Sequence, residues 1–378
     1  MNLLAKLLGR ARTRNPGNDT GAHVTATIDR ALTAAGLTHH ARTGVDVRAT
    51  IDRALAQAGL KPAAEPVITT TDGAIATPQS PGASGAPAVE PAAGGQWITR
   101  SFSNAAGTRS YRLYVPSTYA SVAGVAVPLV VMLHGCTQSP EDFAAGTRMN
   151  QLAEAQGFLV AYPAQTAKAN GSRCWNWFRT ADQSHGRGEP SLIAGIAQQV
   201  ASDYRIDPKR VFVAGLSAGA AMAVILGETY PDVFAAVGAH SGLPFAAAND
   251  VSSAFTAMKA GAARGAVRTH AGTVPTIVFH GDADHTVAVG NGDAIVRDAT
   301  ADTTHNTVHT GVAPGGRSYT QDVFTDAAGR PRAEYWRVHG AGHAWSGGSA
   351  QGSYTDPSGP DASKEMVRFF LQLPAALH

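Results

Sequence analysis

The chain has 378 residues, 44% of them hydrophobic and only 15% charged, which is enough apolar material for one large α/β domain with an appendage or for two or three domains. A formal net charge of +2 gives no overall electrostatic case for nucleic acid, and no apolar run approaches the roughly 20 residues of a transmembrane helix. The two cysteines, Cys136 and Cys174, exclude a disulfide-dense miniature scaffold.

Residues 1–60 read as a basic extension. Leu3, Leu4, Leu7 and Leu8 share one helical face beside Lys6, Arg10, Arg12 and Arg14. Lys6 interrupts the apolar run, which is too short for the core of a secretory signal. Ala26-Thr27-Ile28-Asp29-Arg30-Ala31-Leu32 recurs as Ala49-Thr50-Ile51-Asp52-Arg53-Ala54-Leu55, each copy followed by Ala-Gly-Leu. Each copy predicts a short helix stopped by glycine, and two copies are too few for a solenoid. Residues 61–95 shift to Pro, Ala, Gly, Ser and Thr, a composition that buries too little surface to offset its ordering entropy, and read as a linker. A folded domain is expected over residues 96–378.

Within it, Trp97–Phe102 and Ser110–Val115 predict a hairpin turning around Asn104–Gly107. Pro128–Leu133 is a fully apolar strand that runs into His134-Gly135-Cys136. Ser139, Pro140, Glu141 and Asp142 announce a helix reaching Gln156 and ending at Gly157. Further strands are expected at Phe158–Tyr162, Ala235–His240, Thr276–His280 and Glu334–Val338, with helices over Ser191–Tyr204 and Lys364–Leu373. Continuous apolar strands alternating with helices predict an α/β domain, with a mostly parallel, doubly wound sheet covered on both faces.

The chemistry collects at strand ends. Val211-Phe212-Val213-Ala214-Gly215-Leu216-Ser217-Ala218-Gly219 is an apolar strand leading through Gly-x-Ser-x-Gly into an Ala-rich helix. That sequence predicts a sharp elbow with Ser217 at its apex, as the nucleophile. The acid is expected in His280-Gly281-Asp282-Ala283-Asp284-His285. Asp284 is chosen because His-Gly-x-x-Asp-x-x-Val is the pattern of a triad acid, and Asp282 is then a turn-capping residue. The base is expected in His339-Gly340-Ala341-Gly342-His343. His343 lies in the glycine-rich loop, whereas its rival His339 sits on the strand side. The order Ser217, Asp284, His343 is that of an α/β-hydrolase triad. The N–H groups of Ala218 and Cys136 are the matching oxyanion donors, and His134 is read as support for the latter's loop. His280 and His285 are read as structural or rim residues. No His-Glu-x-x-His and no cysteine-pair spacing occurs, so neither metal nor cofactor is assigned.

With these residues in view the chain resembles the poly(3-hydroxybutyrate) depolymerase esterases, a family that also holds feruloyl and acetylxylan esterases. The resemblance rests on Leu133-His134-Gly135-Cys136-Thr137-Gln138, Cys174-Trp175-Asn176-Trp177-Phe178, Arg210 through Gly219, Tyr230 through Ala236, His240 through Pro244, the acid loop, and Gly342-His343-Ala344-Trp345. It implies the α/β-hydrolase fold and hydrolysis of short-chain-length polyhydroxyalkanoate esters, with soluble feruloyl or acetyl esters as the alternative substrates. It further implies that Cys136 and Cys174 are paired, and that Trp175, Trp177, Trp345 and His240 line the substrate cleft, core packing being the other reading of each indole. Family likeness implies an extracellular location. No secretory signal or polymer-binding module is read in the sequence, so a cytoplasmic chain whose N-terminal extension touches a polymer granule is the alternative. A non-catalytic binding protein on the same fold is the third reading.

Overall fold

The computed structural model describes residues 94–121, 124–261, 274–301, 303 and 305–373. The basic extension, its two repeats and nearly all of the expected linker lie outside the described residues. The elements run β1 (Gln96–Asn104), β2 (Gly107–Val115), β3 (Val127–Leu133), α1 (Pro140–Thr147), α2 (Met149–Gln156), β4 (Leu159–Pro163), α3 (Gly188–Asp203) and β5 (Ile206–Leu216). They continue as α4 (Ala218–Thr229), β6 (Ala236–His240), α5 (Val251–Ala260), β7 (Thr276–Gly281), α6 (Gly290–Ala299), β8 (His305–Val312), β9 (Ser318–Thr325), β10 (Pro331–Val338), β11 (Trp345–Ser346), β12 (Thr355–Asp356) and α7 (Ala362–Gln372).

Ten strands make one sheet in the order β1-β2-β4-β3-β5-β6-β7-β10-β9-β8. The six from β4 to β10 are parallel. Antiparallel pairs flank them on both sides. The long apolar runs are explained by burial on two faces. Along β3, Leu129, Val131 and Leu133 enter one core with α3 and α4, while Val130 and Met132 enter a second core with α1, α2 and α7. β5 divides likewise, Val211 and Val213 to the first and Phe212, Ala214 and Leu216 to the second. Because successive side chains point to opposite faces, every residue of such a strand must be apolar.

Several features depart from the sequence reading, among them helices α5 and α6, for which it holds no expectation. The single helix expected from Ser139 to Gln156 is two helices, because Arg148 adopts a left-handed φ of 55° between them. The break is set from outside. Ser363 Oγ donates to the Thr147 carbonyl at 2.6 Å, and the Arg148 guanidinium donates to Gly347 O at 2.7 Å while pairing with Asp361 at 3.2 Å. The antiparallel pair β8–β9 was also not anticipated. β8 is exposed along most of its length, so its composition carries no strand-like burial pattern.

The central strands end in register. Leu133 lies opposite Gly215, Leu216 opposite His240, His240 opposite Phe279, and Gly281 opposite Val338. The loops carrying Cys136, Ser217, Asp284 and His343 therefore all leave the same edge of the sheet, which is where doubly wound sheets hold ligands.

Candidate active site

Ser217 joins β5 to α4 with φ 58° and ψ −120°, a conformation that an L-residue rarely adopts. Its backbone N–H is held by His240 O at 2.9 Å. The two glycines of the elbow are required by space. A Cβ on Gly219 would stand 2.1 Å from Leu133 O, and one on Gly215 would stand 2.5 Å from the Gly219 carbonyl carbon. The helix therefore starts directly against β3, with its N-terminal N–H groups beside Ser217 and without intrahelical acceptors.

Behind this elbow lies the His134–Gln138 loop. Gly135 N donates to Gln138 Oε1 at 2.9 Å, Thr137 N to Ser172 O at 2.7 Å, and Gln138 N to Gly135 O at 3.4 Å. Among the described residues no acceptor lies on Cys136 N–H or on Ala218 N–H. A Cβ on Gly135 would come 3.7 Å from Ser217 Cβ, so the loop passes close to the elbow. Cys136 is disulfide-bonded to Cys174, the pairing that family likeness implied. His134 is fully buried, accepting from Gln165 N at 3.1 Å and donating through Nδ1 to Gly135 O at 2.7 Å, and it packs against Trp175.

The rival acids and bases sort themselves into two pairs. Asp284 Oδ2 accepts from His343 Nδ1 at 2.7 Å, with both side chains nearly inaccessible. Its other oxygen accepts from Thr286 N at 2.9 Å and Val287 N at 2.8 Å. Burial alone would raise this carboxyl, but the charge and hydrogen bond of His343, with lesser help from His280 and Val287 N–H, bring it down to about 2. Asp282 instead accepts from His339 Nδ1 at 2.9 Å and from Gly340 N at 2.7 Å, in a half-exposed position. Thr320 Oγ1 completes that outer array at 2.9 Å from His339 Nε2. Since Nδ1 of His343 donates to Asp284, its Nε2 is left as the basic nitrogen. His280 is buried, donating to Val287 O at 2.9 Å and lying 3.6 Å from Asp284, whereas His285 is exposed.

The residues expected to line a cleft occupy other places. Trp175 and Trp345 are 0% and 1% exposed and Trp177 is 5% exposed. The Trp175 indole donates to His134 O at 3.1 Å, and the Trp345 indole donates to Ser363 Oγ at 3.0 Å while meeting Phe143 edge-on. His240 is likewise buried, stacked against Phe279 and Trp345, and accepts from Ser346 N at 2.9 Å. Trp175 and His240 thus bond the His134 and Ser346 backbone from within the core, and Trp177 packs edge-on against Phe178. An indole or imidazole run looks the same in sequence whether it faces a ligand or a core.

Sequence reading missed the polar groups that hold the loops. Gln138 is 2% exposed and reaches Asp142 Oδ2 at 2.9 Å. Glu189, 4% exposed, accepts from Arg109 at 3.0 Å and from Asn176 N at 2.7 Å, beneath the Cys174–Trp177 segment. An acidic residue at a helix start signals a dipole contact, and nothing local marks it as a buried hub.

Two buried histidines make stability pH-dependent. Desolvation lowers His134 to about 4 and His240 to about 3, from an ordinary 6.5. Below about pH 6.5 the unfolded chain takes up protons that the folded chain refuses, so stability falls as pH falls. The slope is about 1.4 kcal/mol per pH unit for each histidine. The Asp284 contribution, with its carboxyl depressed, is lost only below about pH 4. A melting temperature that declines steeply from pH 6 to pH 4 in a calorimetric series is the expected result, and a flat one would contradict the buried neutral assignment.

Comparison with known proteins follows the same geometry. Residues 109–308 match the family described as "Esterase PHB depolymerase". Poly(3-hydroxyalkanoate) depolymerase C of Paucimonas lemoignei is 36% identical over 231 residues, covering 57% of this chain and 54% of that protein. Acetylxylan esterase A of Talaromyces purpureogenus is 31% identical over 209 residues, covering 51% and 53%. Feruloyl esterase B of Neurospora crassa is 35% identical over 152 residues, covering 40% and 49%. The chain thus spans about half the length of these relatives, or less. An acetyl xylan esterase from Aspergillus awamori superposes with a TM-score of 0.56 at 21% identity, covering 73% of this chain and 98% of that one, a likeness of fold. The family match takes in more than half of the sequence, from β2 to β8, with the serine elbow and the acid loop inside it, and the chain belongs to the esterase PHB depolymerase family.

Proposed function

We propose that residues 96–378 form a serine carboxylic ester hydrolase acting on short-chain-length polyhydroxyalkanoates such as poly(3-hydroxybutyrate). The observation that carries this reading is the buried Asp284–His343 hydrogen bond of 2.7 Å, at the same sheet edge as the strained Ser217. Ser217 Oγ attacks the ester carbonyl carbon while its proton passes to His343 Nε2. The carbonyl electrons move onto oxygen, which accepts hydrogen bonds from Cys136 N–H and Ala218 N–H, the two free donors beside the elbow. Asp284, ionised at any working pH, holds the ring and balances its positive charge. Collapse expels the alcohol, which takes the proton from His343. Water then repeats the cycle on the acyl-enzyme, releasing the acid and restoring the Ser217 hydroxyl.

Polyester is preferred as substrate because the Paucimonas lemoignei relative, named as a poly(3-hydroxyalkanoate) depolymerase, is matched over the longest stretch of the three relatives compared. The second reading, soluble acetyl or feruloyl esters, is favoured by the comparable identity of the acetylxylan and feruloyl esterases. In the first reading residues 61–95 are a linker, and the basic segment 1–60 contacts the polymer surface.

Ser217→Ala is expected to reduce turnover of p-nitrophenyl butyrate by roughly 10⁴- to 10⁶-fold with the fold intact by circular dichroism. Retained turnover removes Ser217 from the chemistry. The substrate question is answered by comparing the full chain with one beginning at Gln96, on poly(3-hydroxybutyrate) film and on acetyl and feruloyl esters. Rapid soluble-ester turnover with none on film supports the second reading. Equal film binding by both chains removes the role of the N-terminal segment.

A further inference from the structure

Among the described residues, non-glycine positions with left-handed φ concentrate around the site. They include Ser217 itself, Thr137 at 66°, Arg173 at 53°, Ser241 at 51° and Tyr354 at 53°. Thr137 and Arg173 adjoin the two disulfide-bonded cysteines, and Ser241 adjoins His240. For the β-branched Thr137 this conformation is a genuine outlier. Such backbone persists only where the surroundings over-determine it.

Besides the disulfide and the Thr137 N–H bond to Ser172 O, a third holder is Tyr354, 217 residues further along the chain. Its hydroxyl lies 3.2 Å from Thr137 Oγ1. Thr137 Oγ1 spends its single proton on Cys136 O, at 2.6 Å, so the Tyr354 hydroxyl must be the donor between the pair. At its other end Tyr354 accepts from Trp345 N through its backbone carbonyl, at 2.7 Å and two residues beyond His343. The parallel contact of β11 with β12 folds the intervening loop back to make this meeting. The neighbouring Ser353 is gripped in the same way. Its N–H donates to Asp142 Oδ1 at 2.8 Å, and its carbonyl accepts from Gln138 Nε2 at 3.1 Å. One short segment is thus bonded to the base loop on one side and to the Cys136 loop on the other.

We propose that Tyr354 is a positioning residue, whose hydroxyl holds Thr137 and the Cys136 carbonyl so that Cys136 N–H stays aimed where the oxyanion forms. This rests on the role given to Cys136 above. An oxyanion donor acts only within a narrow distance of the oxygen as it acquires charge, and contributes little to binding the neutral ester. Loosening the loop therefore lowers kcat and leaves KM nearly unchanged.

The test uses Tyr354→Phe in the full chain, which keeps the ring and removes only the hydroxyl, with Thr137→Val as the reciprocal variant. On p-nitrophenyl butyrate each is expected to lose about tenfold in kcat, a fraction of the effect of deleting a donor outright, with KM within about twofold. Inhibition by an alkyl trifluoromethyl ketone, whose serine adduct carries an oxyanion, is expected to weaken by about the same tenfold factor. Thr137→Ser, which keeps the hydroxyl, should remain within about threefold of wild type in kcat. A merely structural contact would shift the melting temperature without moving the inhibitor constant. If Ser217→Ala abolishes turnover but Tyr354→Phe keeps full kcat and inhibitor affinity, the positioning role is overturned by itself. A rise in KM at constant kcat also overturns it, in favour of direct substrate contact. A wild-type chain without ester turnover overturns this proposal together with the functional reading beneath it.

Discussion

Asp284→Asn is expected to lower kcat for ester hydrolysis by about 10⁴-fold, whereas Asp282→Asn, two residues away, leaves it within about threefold. The contrast follows from what each acid faces. Asp284 is bound to a buried imidazole and two backbone N–H groups, and in the proposed mechanism its negative charge balances the imidazolium formed when Ser217 gives up its proton. An amide cannot supply that charge, and its NH₂ face would present a donor to Nδ1, selecting the tautomer whose Nε2 is already protonated. Asp282 is bound to His339 in a half-exposed array, where a single ion pair contributes between about 0 and 1 kcal/mol. Initial rates of both variants on p-nitrophenyl butyrate, measured from pH 5 to 9, decide the matter. Equal losses in the two would mean that the outer array also takes part. A large loss confined to Asp282→Asn would transfer the acid to that array and make His339 the base.

The second large effect concerns stability. Glu189→Leu is expected to cost about 3–5 kcal/mol, since it leaves the Arg109 guanidinium charged, buried and unpaired. At about 2–4 °C per kcal/mol, the melting temperature should fall by roughly 10 °C. The carboxylate also serves neutral donors. Asn176 approaches it with its backbone N–H at 2.7 Å and its side-chain amide at 2.8 Å, and the Gln165 amide joins them. Removing Arg109 as well, in Arg109→Met/Glu189→Leu, therefore restores only the charge part. The double variant should stay destabilised by about 1–3 kcal/mol for the stranded donors. Urea unfolding of the two single variants and the double variant measures the difference. Full recovery in the double variant would show that the charge pair alone matters and that the donors find other acceptors.

Glu189 also lies one disulfide away from the loop assigned to the oxyanion. Asn176 lies in the Cys174–Trp177 segment, and Cys174 holds Cys136 through the disulfide. Glu189 is thus linked to the proposed oxyanion loop through the Asn176 backbone and the disulfide. The buried network under that loop is fully engaged on its carboxylate side, which is the condition under which polar cores specify a single arrangement.

Much of this protein was legible in the sequence because the determinants are local. Alternating burial on two faces demands unbroken apolar strands, so β3 and β5 announced themselves. The elbow needs Gly215 and Gly219 for lack of space, so a strand, Gly-x-Ser-x-Gly and a helix marked the apex. Chain order added an acid candidate after β7 and a histidine candidate after β10, two strands that are neighbours in the sheet though not in the chain. What sequence alone left as alternatives was the pairing of Asp282 and Asp284 with His339 and His343. Only the register of β7 against β10 decided it, because that register brings the turns together as two separate acid–histidine couples. Tertiary contacts alone also broke the helix at Arg148 and turned the expected cleft tryptophans inward. They alone brought Tyr354 to Thr137 and Glu189 to Arg109. In each case the energy lies in a hydrogen bond or packing contact between residues tens to hundreds of positions apart, which leaves no mark on the residues nearby in sequence.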